Sequence, residues 1–303
     1  MPAKPVVVGV DGSDESLRAV EWAALEAVRR KAPLRVVAAP SRPPLTRTAL
    51  LSQRSVGNAV QGMAARALAE GITRSEEVAP GLLIDADLLD PGTPAVAVTS
   101  CGAGASLLVV GARGAGGFAA LLLGSVSRYA ASHATCPVVV VRERTMAVHR
   151  SVIVGVRDPR TGTDAVAFAV EEAASRGAEL VVVHVLRPRP GEDARPSLAD
   201  AQQDLAAALR PWRDEHPDLP VREDVVQGHP AQVLSQYCSR ADLVILGRHD
   251  APGTVHSIGS TWHAVLDHAS APVAVIPAGA CPDRPQPRAR LAHPVPQPEP
   301  VPA

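Results

Sequence analysis

The residues with the clearest chemical potential are glycines in the middle of the first half of the chain. Four glycines fall within residues 111–117, and Gly124 and Ser125 follow shortly afterwards. Because glycine has no side chain, the backbone amides of such a loop can approach an anion closely. Ser125 begins a predicted helix, and the free amides and dipole at a helix start favour phosphate. The segment therefore predicts a phosphate site, although it can equally be a flexible connection followed by an ordinary helix cap.

Polar side chains near these glycines extend the same interpretation. Arg113 lies inside the glycine run and offers a positive charge to phosphate oxygens, and Ser125 and Ser127 add hydroxyl donors. Asp11 directly follows the first apolar run of the chain. A carboxylate there suits ribose hydroxyls better than phosphate, but Asp11 can also cap the helix expected to begin near Asp14.

The elements that would position these residues alternate between short apolar runs and helical stretches. The predicted strands of this half are Pro5–Val10, Leu34–Ala39, Leu82–Leu88, Leu107–Gly111 and Val138–Val141. The predicted helices are Asp14–Arg30, Ser55–Glu70, Pro94–Cys101 and Ser125–His133. This order indicates an α/β fold with a doubly wound parallel sheet. Ligands of such sheets bind beyond the carboxyl ends of the strands, so the loops holding Asp11 and the glycines should converge.

The first predicted helix shows how one element packs. Its apolar stripe is predicted to hold Leu17, Val20, Ala24, Leu25 and Val28. Its solvent side is predicted to hold mostly Glu15, Arg18, Glu26 and Arg29. Ser13 or Asp14 is the expected N-cap.

The chain also repeats itself. Gly9 of the first apolar run and Gly155 of a matching run are 146 positions apart, and Ala19-Val20 meets Ala165-Val166 at the same shift. The strands predicted for the second copy are Val152–Val156, Leu180–Val185, Val221–Val226, Leu243–Gly247 and Val273–Ile276. Two tandem copies of one domain follow.

Composition excludes several classes of function. A formal net charge of −1 and an aromatic content of 2% give no basis for nucleic-acid or membrane partners. The four cysteines form no CxxC pair, and the sequence contains no P-loop, nucleophile elbow or HExxH motif. No apolar run approaches the length of a membrane span and no signal peptide is recognisable, so a cytoplasmic location is expected.

The spacing Gly111-x2-Gly114-x9-Gly124-Ser125 resembles the nucleotide-binding signature of ATP-binding universal stress proteins. Val7-Val-Gly-Val-Asp11-Gly-Ser13 and Cys136-Pro-Val-Val-Val-Val141 are similar to that family's first and last strands. The resemblance implies two tandem Rossmann-like (adenine nucleotide alpha hydrolase-like) domains, each a five-stranded parallel sheet of order 3-2-1-4-5 flanked by helices. The implied bounds are 1–144 and 149–278. The composition of residues 279–303 is Pro-rich and cannot bury enough apolar surface to fold, so a disordered tail is expected there, with a proline-recognition ligand as the alternative.

The resemblance also implies a ligand site. Asp11 would lie by the adenosine, and Val37 would contact adenine through its backbone. The implied phosphate and ribose positions are Gly111, Arg113, Gly114, Gly124, Ser125 and Val126. ATP, with Mg²⁺, is the implied cofactor. The last strands, Val138–Val141 and Val273–Ile276, would pair within the chain as a pseudo-dimer, with a homodimer of two chains as the alternative.

The second copy departs from this signature. Arg157 stands where Asp11 stands in the first copy, and Asp250 replaces Gly114, which would set a carboxylate against phosphate. The loop before Gly259-Ser260 is one residue shorter, although that pair and a basic group at His249 remain. We expect this copy to bind ATP weakly or not at all.

Three functions are compatible with these residues. The first is a nucleotide-dependent regulatory module of a stress response that binds ATP or AMP. The alternatives are a slow ATP hydrolase or adenylate-transferring enzyme, and a structural stress protein without a ligand. The glycine signature opposes the last, and no side chain stands out as a base for the enzyme.

Overall fold

The computed structural model of the protein describes residues 3–41, 47–115, 122–142, 148–159, 163–187, 197–248 and 261–281. Its strands are β1 Val6–Gly9, β2 Leu34–Ala38, β3 Ile84–Leu88, β4 Leu107–Gly111, β5 Val138–Val141, β6 Ser151–Val156, β7 Glu179–Leu186, β8 Val221–Gln227, β9 Leu243–Arg248 and β10 Val273–Pro277. Its helices are α1 Asp14–Arg30, α2 Arg47–Val78, α3 Pro94–Ser100, α4 Ser125–His133, α5 Thr163–Arg176, α6 Leu198–Glu215, α7 Pro230–Cys238 and α8 Thr261–His268.

These strands form one sheet in the order β3-β2-β1-β4-β5-β10-β9-β6-β7-β8. All neighbouring strands are parallel except β5 and β10, which pair antiparallel through Val138–Val140 and Val273–Val275. The first half, β1–β5, and the second half, β6–β10, therefore join at their last strands. The predicted α/β class, with a parallel-dominated sheet in each half, is confirmed.

The core lies on both faces of the sheet because side chains of a strand alternate between faces. In β1, Val6 and Val8 pack on the face covered by α1, and Val7 packs on the opposite face with Val98 of α3. All of these valines are fully buried. Runs that are apolar at every position are typical of strands covered on both faces, which is why the strands are easy to locate in the sequence.

The helix α2 is much longer than the predicted span Ser55–Glu70. Gly71, where the prediction ended, lies inside the helix, and a Cβ atom placed on it would be 3.2 Å from Cγ1 of Val36. This glycine therefore allows α2 to pack closely on β2 and does not end the helix.

The predicted packing face of α1 is partly wrong. Leu17, Val20 and Ala24 are buried as expected, but Leu25 and Val28 are 45% and 51% exposed. Glu26, expected on the solvent side, is fully buried.

The burial of Glu26 is explained by a charge cluster between the halves, which comprises Glu26, Arg29 and Arg30 of α1 and Glu172 and Arg176 of α5. Arg176 contacts Oε2 of both Glu26 and Glu172 at 2.7 Å, and Arg30 contacts both carboxylates from the other side. Burial acts to raise the pKa of Glu26, but Arg176, Arg30 and Arg29 outweigh it and lower the pKa to about 2. Burial and the neighbouring charge of Glu26 raise the pKa of Glu172, against the opposing effect of the arginines.

The Pro-rich segment 282–303 lies outside the described residues. The first residues of the predicted tail, however, contact α5: the amides of Gly279 and Cys281 donate to the carboxylate of Asp164 at 2.9 and 3.3 Å. Within the described ranges, no helix combines the length and the apolar character needed to cross a membrane.

Candidate functional site

The loops that follow β1 and β4 meet at the carboxyl edge of the sheet. The amide of Ala115 donates to Oδ2 of Asp11 at 2.8 Å, and the hydroxyl of Ser13 lies 3.4 Å from the carbonyl oxygen of Arg113. A Cβ atom on Gly114 would overlap Oδ2 of Asp11. Glycine at 114 therefore leaves room for the carboxylate of Asp11 in this position, and the structure brings Asp11, Arg113 and Gly114 together.

Asp11 is held by its own loop as well. Its Oδ1 accepts hydrogen bonds from the amide and the hydroxyl of Ser13, at 3.1 and 2.6 Å. Ser13 in turn caps α1 by accepting from the amide of Ser16 at 3.2 Å, which confirms one of the two expected N-caps. Asp11 itself remains exposed, so its oriented carboxylate is accessible to hydroxyl donors from a ligand.

The starts of α1 and α4 differ in a way that bears on anion binding. The first turn of α1 contains Asp14 and Glu15 and is capped by Ser13, so its positive end is already compensated. The N-cap of α4 is Gly124, with no side-chain cap hydrogen bond in the described structure and no acidic residue in its first turn. The amides at the start of a helix have no intrahelical acceptor. The start of α4 is therefore the end suited to an anion.

Gly124 connects this helix start to the meeting loops. Its amide donates to the carbonyl oxygen of Ala112 at 2.7 Å, and a Cβ atom on it would lie 3.4 Å from Cα of Arg113. The amide of Gly124 is thus occupied, which corrects the expectation that it is bared for phosphate. The glycine instead holds the start of α4, with exposed Ser125 and half-buried Val126, against the β4 loop.

Gly111 also has a packing role in place of the expected exposed amide. It is buried at the end of β4, and a Cβ atom there would lie 2.7 Å from the carbonyl carbon of Glu15. Glycine at this position lets the first turn of α1 pass directly over β4. Gly111 therefore positions the site without facing it.

Ser127 is a third residue whose expected role changes. Its side chain is buried, and its hydroxyl donates toward the carbonyl oxygens of Gly111 and Ala112, at 2.7 and 3.0 Å. The hydroxyl anchors α4 to the end of β4 and is not a ligand donor. Ser125, two residues earlier, is exposed and keeps the expected role.

Arg113 forms an ion pair within the protein. Its Nη2 and Nε atoms lie 2.7 and 3.2 Å from Oε1 of Glu15. Glu15, predicted on the solvent side of α1, is therefore engaged in a contact that the helical pattern does not predict. An acidic residue near the start of α1 and a basic residue on a converging loop are the signal that could have revealed it.

Val37 does not have the expected free backbone. It lies inside β2, is fully buried, and its carbonyl oxygen accepts the amide of Val10 at 2.9 Å. That carbonyl belongs to the sheet ladder, so the predicted contact to adenine through Val37 is corrected. Ala39, which is half-buried, is the first residue past β2 and lies at the edge occupied by Asp11.

The second half places Arg157, an exposed residue, directly after β6, at the position that corresponds to Asp11. The other residues expected to differ, His249, Asp250, Gly259 and Ser260, lie outside the described residues.

No group of three histidine, cysteine or acidic side chains suited to a metal ion occurs among the described residues. Mg²⁺ in nucleotide sites commonly uses one or two carboxylates together with phosphate oxygens and water. The exposed carboxylate of Asp11 fits that pattern, whereas Glu15 is paired with Arg113.

Comparisons with known proteins agree with this architecture. The sequence profile of the universal stress protein family matches twice, at residues 2–142 and 149–277. One universal stress protein of Mycobacterium tuberculosis is 33% identical over 287 residues, covering 89% of this chain and 96% of the relative. A second from the same organism is 30% identical over 293 residues, covering 89% and 95%. The crystal structure of a universal stress protein from Archaeoglobus fulgidus superposes with a TM-score of 0.70 at 20% identity, covering 91% of this chain and 97% of that one.

Proposed function

Because the chain belongs to the universal stress protein family, we propose that its first half binds an adenine nucleotide, ATP, and acts as a nucleotide-dependent module of a stress response. The proposed site lies between the β1 loop, the β4 loop and the start of α4. The proposed contacts come from Asp11, Arg113, Gly114, Ser125 and Val126, with Gly111 and Gly124 as packing residues.

The observation that carries this proposal is the α4 start beside the meeting loops. It has a glycine N-cap and no acidic residue in its first turn, and Gly124 ties it to Ala112. Backbone amides at such a helix start stabilise phosphate through hydrogen bonds and the helix dipole. The hydroxyl of Ser125 adds a donor there.

The polarity of the site also suits a nucleotide. The carboxylate of Asp11 lies between the β2 end and the β4 loop, where it would repel phosphate but accept hydrogen bonds from a ribose. We place the base toward Ala39 and the phosphates toward Ser125. A magnesium ion bound with the phosphates would be held by their oxygens and by Asp11, and would offset the repulsion between that carboxylate and phosphate.

The second half is proposed to support the first and to bind no ATP at the corresponding position. Arg157 in place of Asp11 removes the acceptor for ribose hydroxyls. The antiparallel pairing of β5 with β10 supports a pseudo-dimer within one chain, with domains at 1–144 and 149–278.

A thermal-shift experiment tests the proposal with wild type and Gly114→Asp. ATP with Mg²⁺ at about 100 times its dissociation constant should stabilise the wild type by about 2.7 kcal/mol. Gly114→Asp should lose the shift, because its side chain would displace Asp11 and set a carboxylate beside phosphate. Gly114 is not in the left-handed region, so aspartate fits its backbone.

Gly62→Asp is the matched control. Gly62 is exposed on α2, and nothing lies within 4 Å of a Cβ atom placed there. This variant should keep the full shift. An unchanged shift in Gly114→Asp would reject the site, and no shift in the wild type with any adenine nucleotide would reject the function.

A further inference from the structure

We propose that Glu15 is a built-in competitor for the ligand's phosphate, and that its ion pair with Arg113 sets the affinity of the site. This inference rests on the proposed function, because it concerns the same site. Glu15 is a positioning residue, which acts on the ligand through Arg113.

The side chain of Arg113 is bound to Glu15 through the nitrogen atoms that would bind phosphate. Both Nη2 and Nε of Arg113 are directed at one oxygen of Glu15, at 2.7 and 3.2 Å, so the guanidinium presents to a carboxylate the edge it would present to phosphate. The backbone of Glu15 lies against Gly111, so the start of its side chain is fixed close to the β4 loop that carries Arg113. The carboxylate of Glu15 thus pairs with the guanidinium of Arg113, which a bound phosphate would need.

Asp11 also pairs a carboxylate of the protein with a donor of the β4 loop. Asp11 accepts the amide of Ala115 at 2.8 Å, so another carboxylate occupies a backbone donor of the β4 loop. The two contacts hold the β4 loop against the β1 loop and the start of α1. A phosphate would have to exchange with Glu15 at Arg113 before the guanidinium could contribute to binding.

The ion pair between Glu15 and Arg113 should lower the apparent affinity of the site for ATP. When the binding-competent form is one fraction of the population, the apparent dissociation constant equals the intrinsic constant divided by that fraction. The side chain of Glu15 is 15% exposed and that of Arg113 is 43% exposed, so the pair is partly screened by water. Partly exposed ion pairs are weak, and removing this one should tighten ATP binding by about 1.5- to 5-fold.

A double-mutant cycle tests the inference. ATP affinity is measured at fixed Mg²⁺ and ionic strength for wild type, Glu15→Gln, Arg113→Gln and the double variant. Glu15→Gln should bind more tightly than wild type, and Arg113→Gln more weakly. In the Arg113→Gln background, Glu15→Gln should change the dissociation constant by less than about 1.5-fold, because no guanidinium remains to be released.

The cycle separates competition from plain charge repulsion. If Glu15 only repelled phosphate, its removal would tighten binding equally in both backgrounds, and the inference would be rejected. Glu77→Gln, which removes a carboxylate paired with Arg74 on α2 at 3.5 Å, is the control and should leave affinity unchanged.

The possible failures are distinguishable. No ATP binding by any of the variants would reject the proposed function. ATP binding that is weakened by Arg113→Gln but is unaffected or weakened by Glu15→Gln would keep the function and reject the competitor.

Discussion

Two serines on one turn of α4 show how differently neighbouring residues can serve a site. Ser125 is exposed at the helix start, whereas Ser127 is buried with its hydroxyl on the carbonyl oxygens of Gly111 and Ala112. Both serines come within three residues of Gly124, and the sequence alone assigns them the same role. Burial and hydrogen-bond partners separate them.

This difference predicts opposite effects of two alanine substitutions. Ser127→Ala should lower the free energy of unfolding by about 1 kcal/mol, because buried carbonyl oxygens lose their donor. Ser125→Ala should leave stability within about 0.5 kcal/mol and weaken ATP binding. Urea denaturation and ATP titration of each variant measure the two quantities.

Ser132→Ala provides the control on the same helix. Its hydroxyl donates to the carbonyl oxygen of Arg128 at 2.8 Å, at the surface. Ser132→Ala should change the free energy of unfolding by less than about 0.5 kcal/mol and should leave the affinity for ATP unchanged. A stability loss in Ser125→Ala as large as in Ser127→Ala would contradict the assignment.

At the scale of elements, the sequence predicts strands better than it predicts the faces of helices. The strands are runs of valine, leucine and isoleucine, and burial on both faces makes each of their positions apolar. The predicted faces of α1 are wrong at Leu25, Glu26 and Val28. An amphipathic pattern predicts the buried face on the assumption that charged side chains point to solvent, and Glu26 does not. The partners of Glu26 come from α5, far along the chain, and no local pattern reveals them.

The meeting of the two loops at the candidate site could be predicted from the sequence, but the packing roles of its glycines could not. Strand ends at Asp11 and Gly111 fix where the loops meet, because parallel strands share a carboxyl edge. The spacing of glycines does not show that Gly111 serves packing against Glu15, or that the amide of Gly124 is occupied by Ala112. Those roles arise because the first turn of α1 packs over β4 and the start of α4 packs on the β4 loop, and such tertiary contacts cannot be inferred from the spacing of glycines.

At the scale of the whole molecule, the charge cluster follows the repeat. Glu26 and Glu172 are 146 positions apart, as are Arg30 and Arg176, the same shift that separates Gly9 from Gly155. Aromatic rings complete the pattern: the guanidinium of Arg30 lies 5.3 Å from the ring centre of Phe168, and that of Arg176 lies 5.5 Å from Trp22. Each half therefore presents a glutamate, an arginine and an aromatic ring to the other from equivalent positions.

The two glutamates of the cluster should nevertheless differ in their contribution to stability. Glu26→Gln should destabilise the protein by about 3–5 kcal/mol at neutral pH, because it removes a buried carboxylate from three arginines. Glu172→Gln should cost less, because burial and the charge of Glu26 raise the pKa of Glu172 and so disfavour its charged form. Urea denaturation of both variants measures the difference.

The pH dependence of the free energy of unfolding tests whether the charge of Glu26 is the source of its contribution. The pKa of Glu26 falls from 4.5 to about 2 on folding, so its contribution is fully present above pH 4.5 and is lost as the pH falls toward 2. The stability gap between wild type and Glu26→Gln should narrow over that range. Equal costs for the two variants, or a gap that does not change with pH, would contradict this account of the cluster.

The second half also contacts the helix that begins the site. Arg248 of β9 donates to the carbonyl oxygens of Ala131 and Ala134, near the end of α4, at 3.2 and 2.9 Å. The start of α4 is proposed to hold phosphate, and its end is held by the other half. The two halves are therefore joined at α4 as well as at β5 and β10.

The most direct test of this asymmetry is a calorimetric titration of the full-length protein with ATP and Mg²⁺. We predict one nucleotide per chain in the wild type and none in Gly114→Asp, because the first half carries the site and the second half has Arg157 in place of Asp11. Two nucleotides per chain in the wild type, or one retained by Gly114→Asp, would contradict the account.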